Sequence, residues 1–390
     1  MKFQVSREYF FLILYLLPVF IVNVDFGPSG EIFLKGQFLL YPLLIIFFYF
    51  RGGDSNILKL FLMLELLFLP YGIGYSFWGE QEYILDSFIG AQILLMYFLA
   101  SYVIFRSVEA PTVIITIDKV VLIMVAIVFV SFVIWKLTGV YILADDGYGY
   151  FRPHAFMSEP SALTPFLAYG LSAFLLKADY VKALVVLVAI LMVGSIIAVF
   201  VSALVMALAY IYHVNIFKKV ALIIVTVFAL IFSYEYVIEF YPSGGTVFDS
   251  QLARLRLALL SFESLGESGY NPRVATTLDV IRYSAEQPLG FWFGFGPLSD
   301  KFLPFSPIAH SAPSLPLFIF FNFGFAAMAV FVIWVFYNLI TRDVKNKINL
   351  LFVCLAVSSL VNSAQGLLIY QLVFLLGFLH KENKNEVSSS

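Results

Sequence analysis

The sequence predicts an all-α polytopic membrane protein with about 12 transmembrane helices. Hydrophobic residues make up 62% of the chain and charged residues only 12%, whereas soluble domains have about 45–50% and about 25%. The 44 Phe and 23 Tyr suit lipid-facing surfaces and the aromatic belts of membrane interfaces. Long apolar runs recur along the chain, which therefore reads as one integral membrane domain, residues 1–390.

The apolar runs give the candidate spans, since a helix needs roughly 20 apolar residues to cross a bilayer. Two runs, 181–213 and 348–379, are too long for one ordinary span and short for two. The other candidates are single spans, at 9–24, 32–50, 57–75, 83–105, 120–137, 161–176, 220–236 and 313–339.

The distribution of Lys and Arg predicts the topology. Lys2 and Arg7 precede an apolar run with no cleavage signal, so we expect an uncleaved first helix and a cytoplasmic N-terminus. The lysines and arginines that flank the later spans all fall on the cytoplasmic side if the run 181–213 is a helix pair with a turn near Gly194-Ser195. The last run can turn at 362–366, which gives about 12 helices with both ends cytoplasmic, or about 11 if it does not turn. The tail 381–390 is expected to be disordered.

This topology places two polar segments, 138–159 and 239–310, on the outer face. The second far exceeds ordinary connections of about 4–6 residues. It contains helix signals of its own, because Asn271-Pro272 is typical of a helix start and Pro288 of a helix end. We therefore expect a large outer loop with short helices.

The shorter outer segment carries Arg152, His154 and Glu159 just before an apolar helix. The forked donors of arginine suit phosphate oxygens, and a glutamate can accept sugar hydroxyls or orient a base. A structural interpretation stays open, in which Ser158 caps the helix, Glu159 interacts with the helix dipole and Arg152 is solvated.

The longer segment carries four arginines. Arg282 follows Asp279 by three positions, a favourable helical pairing. Arg273 has no acidic residue three or four positions away. It lies in the first turn of a predicted helix, where a cation is unfavourable unless an anion such as a bound pyrophosphate compensates it. Arg254 and Arg256 point about 160° apart on a helix, so one of them can face lipid headgroups.

Other polar residues have two interpretations. His310 lies at the entrance of an apolar helix, where the helix N-terminus favours the neutral imidazole that can act as a base. The alternative is that it is an interfacial polar anchor. Glu65 and Asp86 fall within predicted spans, where carboxylates are costly and would suit an ion-coupled transporter. Asp118 and Lys136 are expected near helix ends.

Several signals are missing from the sequence. Cys354 is the only cysteine, and there is no P-loop, H-E-x-x-H or G-x-S-x-G motif. Asp145-Asp146-Gly147 does not form a D-x-D motif and is expected to be a turn. No basic tract suggests nucleic acid. We therefore expect neither a metal site nor a cofactor, and no nucleic-acid partner.

With these residues, the chain resembles the superfamily of O-antigen polymerases (Wzy-type) and ligases. The similarity rests on Arg152 with Glu159-Pro160, on Asn271-Pro-Arg273 followed by the glycines at 290, 294 and 296, and on His310 before a helix with Gly324. The resemblance implies a GT-C-like transferase at the periplasmic face of the bacterial inner membrane. Its donor would be an oligosaccharide on undecaprenyl pyrophosphate, and its acceptor a sugar hydroxyl on another repeat unit.

The resemblance also suggests roles for the candidate residues. His310 would be the base, and Glu159 would position the acceptor. The remaining candidates would bind the pyrophosphate and substrate, namely Arg152, Arg273, Arg256, Arg254 and His154. Membrane lipid and a polysaccharide chain-length regulator are the expected partners.

Two alternatives remain. A ligase would transfer the same glycan to lipid A-core; the Ser158-Glu-Pro-Ser element and Ser195-Ile196, in place of a Ser-Arg pair, favour the polymerase. A flippase for the lipid-linked sugar would place charge along a central cavity, whereas the charges here gather in the outer segments.

Overall fold

A computed structural model describes most of the apolar part of the chain. The described residues are 7–20, 24–26, 32–34, 36–50, 57–63, 65–66, 84–147, 150–155, 160–193, 196–210, 272–296, 314–361 and 376. Their main elements are α-helices, as predicted, and two short antiparallel hairpins lie between helices.

The helices follow the apolar runs. Those before the first long gap are α1 (Arg7–Phe20), α2 (Gly36–Phe50), α3 (Ile84–Ser107), α4 (Ala110–Thr138), α5 (Pro160–Leu176), α6 (Tyr180–Val193) and α7 (Ile196–Tyr210). Those after it are α8 (Pro272–Ala285), α9 (Pro288–Phe293), α10 (Leu315–Thr341) and α11 (Lys347–Val361). The hairpins pair β1 (Val24–Phe26) with β2 (Ile32–Leu34), and β3 (Ala144–Gly147) with β4 (Tyr150–Pro153).

Two of the described helices, α4 and α10, are long and apolar enough to cross a membrane. Shorter apolar helical stretches of 10–17 residues occur within other helices, such as Leu95–Ser107 in α3 and Lys347–Leu360 in α11. These features are compatible with a helical membrane protein. The total of about 12 spans stays a prediction, because runs such as 220–236 lie outside the described residues.

Two sequence predictions about helix boundaries are confirmed. The run 181–213 contains two helices, α6 and α7, on either side of Gly194-Ser195, while the predicted turn at these two residues lies outside the described part of the chain. Helix α8 begins at Pro272, and Pro288 lies beyond its end, where it starts helix α9. The possible turn at 362–366 and the tail 381–390 lie outside the described residues.

The predicted start of α4 is wrong by ten residues. The helix begins at Ala110, and only Val108 and Glu109 separate it from α3. Asp118 therefore lies inside a helix, in its third turn, and not near an end. The charge does not terminate the helix because hydrogen-bond donors from other helices satisfy its carboxylate. Lys136 lies near the helix end as expected, with its ammonium 4.3 Å from the ring centroid of Trp135.

The chain divides into two compact units, which we describe separately. The first comprises residues 1–116, 279–333 and 363–390. In it, α1, α2 and α3 pack together through buried tyrosines. The hydroxyl of Tyr15 lies 2.9 Å from that of Ser101, and Tyr41 donates to the carbonyl of Tyr15 over 3.2 Å. These bonds satisfy polar groups that would be costly to bury alone.

The second unit comprises residues 117–278 and 334–362. Helix α5 is packed by α6, α7 and α11. Small residues let these helices approach closely: the Ser202 hydroxyl of α7 reaches the carbonyl of Ala168 in α5 over 3.2 Å, besides that of Ala198 in its own helix over 2.8 Å.

Helices α5 and α6 are joined by a tight connection. Ala178 has φ 56°, and the amides of Ala178 and Asp179 donate to the carbonyls of Leu175 and Phe174, as in a Schellman motif. The carboxylate of Asp179 then caps α6 by accepting from the amide of Lys182 over 3.3 Å. Bonds from the side chain and the amide of Lys182 hold the pKa of Asp179 below its ordinary value.

Candidate functional site

The first candidate region is the β3–β4 hairpin. Asp145, Asp146 and Gly147 form strand β3, so the prediction of a turn at these residues is wrong. They adopt the extended conformation because β4 offers them a partner strand, whose Tyr150 and Phe151 have high strand propensity. The register places Asp145 directly opposite Arg152.

His154 extends this hairpin by one hydrogen bond. Its amide donates to the carbonyl of Leu143 over 2.9 Å, and its imidazole is half-buried. Leu143 and Ala155, at the two ends of the hairpin, have φ angles of 51° and 52°. This left-handed region costs a non-glycine residue about 1–3 kcal/mol, and such strain concentrates at functional sites. Strained residues therefore bracket the hairpin that carries Arg152 and leads to His154.

The second candidate region is helix α8. Arg273 is its second residue, so it lies in the first turn as predicted, where the unpaired amides of a helix favour an anion. Asp279 and Arg282 are both exposed and form no ion pair in the described part of α8, so the predicted pairing is wrong. For exposed side chains, the entropy cost of holding a pair offsets most of the electrostatic gain.

Four predicted site residues belong to other segments of the chain. His310, Glu159, Arg254 and Arg256 lie outside the described residues. The structure thus brings Arg152 and His154 together on one hairpin and puts Arg273 on a separate helix. The assignment of a base, an acceptor-positioning residue and pyrophosphate ligands stays a prediction.

A polar cluster at Asp118 escaped the sequence analysis. Tyr169 of α5 donates to Asp118 Oδ1 over 2.6 Å, and Lys347 at the start of α11 donates to Oδ2. The pKa of Lys177 is lowered, chiefly by its hydrogen bond with Lys347 and the repulsion between the two ammonium groups. The cluster joins three helices through residues up to 229 positions apart, so no local pattern in the sequence could reveal it.

Arg342 forms a second buried polar centre, in the connection between α10 and α11. It is only 4% exposed. Its Nε donates to Asn338 over 2.8 Å and its Nη1 to Asn349 over 3.4 Å, while the guanidinium lies 4.0 Å from the ring centroid of Phe352. Burial lowers the pKa of Arg342 to about 10. Neutral amides and a ring face thus hold this cation.

Helix α10 is broken at Gly324, where φ is 83° and ψ is 175°. The break separates the carbonyls of Phe321 and Asn322 from the amides that would donate to them in a continuous helix. The segment after α9 supplies the replacement, because Phe295 donates to Phe321 over 2.9 Å and Gly296 to Asn322 over 3.0 Å. We call this contact the α9–α10 junction.

The glycines of the junction are required by sterics. A Cβ atom on Gly324 would strike the backbone of Trp292 and Phe293, and one on Gly294 would strike the backbone of Asn322. These glycines entered the sequence analysis only as part of the family resemblance. The structure shows that, in this segment, the close approach is to the backbone of α10.

Glu65 also has a partner. The side-chain amide of Gln92 in α3 donates to Glu65 Oε1 over 2.8 Å. Asp86 lies near the start of α3, two residues after Ile84. The Glu65–Gln92 contact satisfies one oxygen of a carboxylate in an apolar run, where such a group is costly.

Comparison with known proteins adds no identification. No protein-family model matches the chain, and no curated protein matches it either. Among the described residues, no group of three or more His, Cys, Asp or Glu side chains could hold a metal ion.

Proposed function

We propose that the chain is a metal-independent glycosyltransferase of the bacterial inner membrane. It polymerises undecaprenyl-pyrophosphate-linked repeat units into O-antigen or a related surface polysaccharide, in a site that faces the periplasm. The proposal includes about 12 spans with cytoplasmic ends and the outer segments 138–159 and 239–310.

The observation that carries the proposal is the strained hairpin with Arg152 and His154. Left-handed backbone at Leu143 and Ala155 persists only where the surrounding structure compensates its cost, and such positions favour a functional role. Arg273 supports the proposal from the first turn of α8, because an anion bound there interacts with both a guanidinium and free amides.

The proposed reaction is a direct transfer. The acceptor hydroxyl oxygen attacks the anomeric carbon of the donor, and the bond from that carbon to the pyrophosphate oxygen breaks. His310 takes the proton of the hydroxyl, and the bonding electrons leave with undecaprenyl pyrophosphate. Arg273 and Arg152, assisted by Arg254 and Arg256, stabilise the charge that develops on the leaving group. Glu159 positions the acceptor.

Two contacts support the proposed topology. In the first unit, Thr112 near the start of α4 donates to Glu8 at the start of α1 over 3.2 Å. In the second, Lys347 bonds to Asp118 and interacts with Lys177. Within each unit, these contacts bring together segments that the positive-inside rule assigns to the cytoplasmic side.

The test is a lipopolysaccharide gel of the native host after deletion of the gene and complementation with variants. Deletion should remove the ladder and leave core with a single repeat unit. Arg273→Ala should fail to restore the ladder, while Arg282→Ala, an exposed position on the same helix, should restore it. Loss of every O-antigen band, single repeat included, would favour the ligase or the flippase and would contradict the polymerase.

A flippase is the second candidate, favoured by the break in α10 at Gly324 and by the Glu65–Gln92 contact. Discontinuous helices and intramembrane carboxylates are typical of transporters. The two functions differ in vesicles loaded with lipid-linked repeat units. In a polymerase, His310→Ala abolishes the polymer and leaves translocation intact; a translocation defect in this variant would contradict the transferase.

A further inference from the structure

We infer that helix α9 is embedded among lipid acyl chains beside the broken helix α10, as a re-entrant segment, and does not lie in the aqueous part of the 239–310 loop. The inference needs only that the chain resides in a membrane. It does not depend on the proposed transfer chemistry.

The position of Gly324 along α10 sets the depth. The helix starts at Leu315, where the hydroxyl of Ser314 accepts from the amide of Leu317 over 3.4 Å. Gly324 comes nine residues later, about 14 Å along the axis at 1.5 Å per residue. The hydrocarbon core of a bilayer is about 30 Å thick. The end of α9, fixed against Gly324, therefore lies well inside the core.

The hydrogen bonds of the junction permit this depth. Irregular backbone inside a membrane must have its polar groups satisfied by protein. The carbonyls freed by the break accept from Phe295 and Gly296, and Gly294 donates to the carbonyl of Gly290 over 2.8 Å. The junction therefore avoids the main cost of placing a helix end in hydrocarbon.

The exposed surface of α9 suits the same environment. Its sequence, Pro-Leu-Gly-Phe-Trp-Phe, has no charged residue, yet Leu289, Trp292 and Phe293 are 53%, 53% and 61% exposed. This patch continues onto α10, because the rings of Trp292 and Phe325 lie 5.7 Å apart. Further along α10, Val330 is 68% exposed.

The occupant of this surface is the hydrocarbon of the bilayer, because the patch joins the exposed apolar face of a helix long enough to cross a membrane. The first charged residue before α9 is Glu286, which is exposed at the end of α8. The water–lipid boundary therefore falls between Glu286 and Leu289.

The experiment is electron paramagnetic resonance of single nitroxide labels in the full chain, reconstituted into phosphatidylcholine liposomes. The single cysteine, Cys354, is buried and is replaced by Ala. Labels at Leu289→Cys and Phe293→Cys replace exposed side chains, which limits damage to the fold. Arg282→Cys on α8 and Glu286→Cys directly after its end are the matched controls.

Labels at 289 and 293 should be relaxed more strongly by oxygen, which concentrates in hydrocarbon, than by a water-soluble nickel chelate. The two controls should show the reverse. Equal accessibility to the nickel chelate at 289, 293 and 286 would overturn the inference. A smaller bimane label at position 289 gives an independent result: brominated acyl chains should quench it in a folded sample, and absence of quenching would equally overturn the inference.

This test is separable from the proposed function. A chain without polymerase activity but with lipid-exposed labels at 289 and 293 would refute the transferase and support the re-entrant helix. An active chain with water-exposed labels would support the transferase and refute the re-entrant helix.

Discussion

The α9–α10 junction of the first unit and the Asp118 cluster of the second satisfy polar groups in apolar surroundings by different means. The junction joins backbone to backbone, with Phe295 and Gly296 donating to carbonyls released by the break at Gly324. The cluster joins side chains, with Tyr169 and Lys347 donating to one carboxylate.

The difference predicts how each region responds to substitution. The junction depends on the absence of a side chain, so any Cβ atom at Gly324 must displace backbone. The cluster depends on complementary groups at the ends of side chains, which can adjust or remain solvated. Changes at the junction should therefore be severe, and changes at the cluster graded.

Gly324→Ala should have the largest effect. The alanine would have to adopt φ 83° while its Cβ displaces the backbone of Trp292, at a cost of about 3–5 kcal/mol from strain and overpacking together. Unfolding of the purified protein in detergent, followed by tryptophan fluorescence, measures the loss.

The matched control is Gly139→Ala, just after α4. Gly139 has φ 71°, yet a Cβ there would meet nothing within 4 Å. It should lose only about 1–2 kcal/mol, from backbone strain alone. Equal losses of stability in the two variants would show that the close approach of the α9 and α10 backbones does not add to the cost of the Gly324 substitution.

Local signals predicted much of the fold. Pro272 marked the start of α8, and the length of the run 181–213 together with its flanking lysines indicated a helix pair at Gly194-Ser195. Each of these signals acts within a few residues, through the missing amide of proline or the pattern of apolar and charged side chains. Boundaries set by such signals are visible without tertiary structure.

Long-range contacts explain what the sequence did not reveal. Asp118 was expected near a helix end because the predicted apolar span began at residue 120, and its partner Lys347 lies 229 residues away. Asp145-Asp146-Gly147 suggested a turn until pairing with β4 made it a strand. For the candidate site, the position of Arg273 in a first turn was predictable, but the register of Arg152 opposite Asp145 was not.

Arg342→Lys should have the next largest effect. It tests whether the planar shape of the guanidinium group, and not only its charge, stabilises the second unit. A lysine keeps the charge but loses the planar group that bonds Asn338 and Asn349 and lies over Phe352. We expect a loss of about 1–3 kcal/mol in the same unfolding experiment. Lys345→Ala, at a nearby exposed position, is the control and should leave the free energy of unfolding unchanged. If Arg342→Lys also left it unchanged, a positive charge alone would be sufficient to stabilise this connection.

Asp118 and Lys347 should give a smaller, coupled effect. The side chains are 31% and 27% exposed, so their coupling should fall between surface and buried pairs, at about 1–2 kcal/mol. A double-mutant cycle of Asp118→Asn and Lys347→Met measures it. Tyr169→Phe should cost about 1 kcal/mol through the lost hydrogen bond. Strictly additive losses in the cycle would contradict the ion pair.

Lys182→Ala should have the smallest effect. Its ion pair with Asp179 spans 2.7 Å, but the lysine side chain is 54% exposed, and exposed pairs contribute little. Because the partner lowers the pKa of Asp179, its contribution is present above the ordinary pKa of an aspartate and is lost as the pH falls through the lowered value. Thermal unfolding measured across this pH range tests the prediction. The melting temperatures of wild type and variant should differ slightly at neutral pH and converge as the pH is lowered. A gap that widens at low pH would mean that Lys182 stabilises α6 by something other than Asp179, such as its contact with the ring of Phe174 at 5.6 Å.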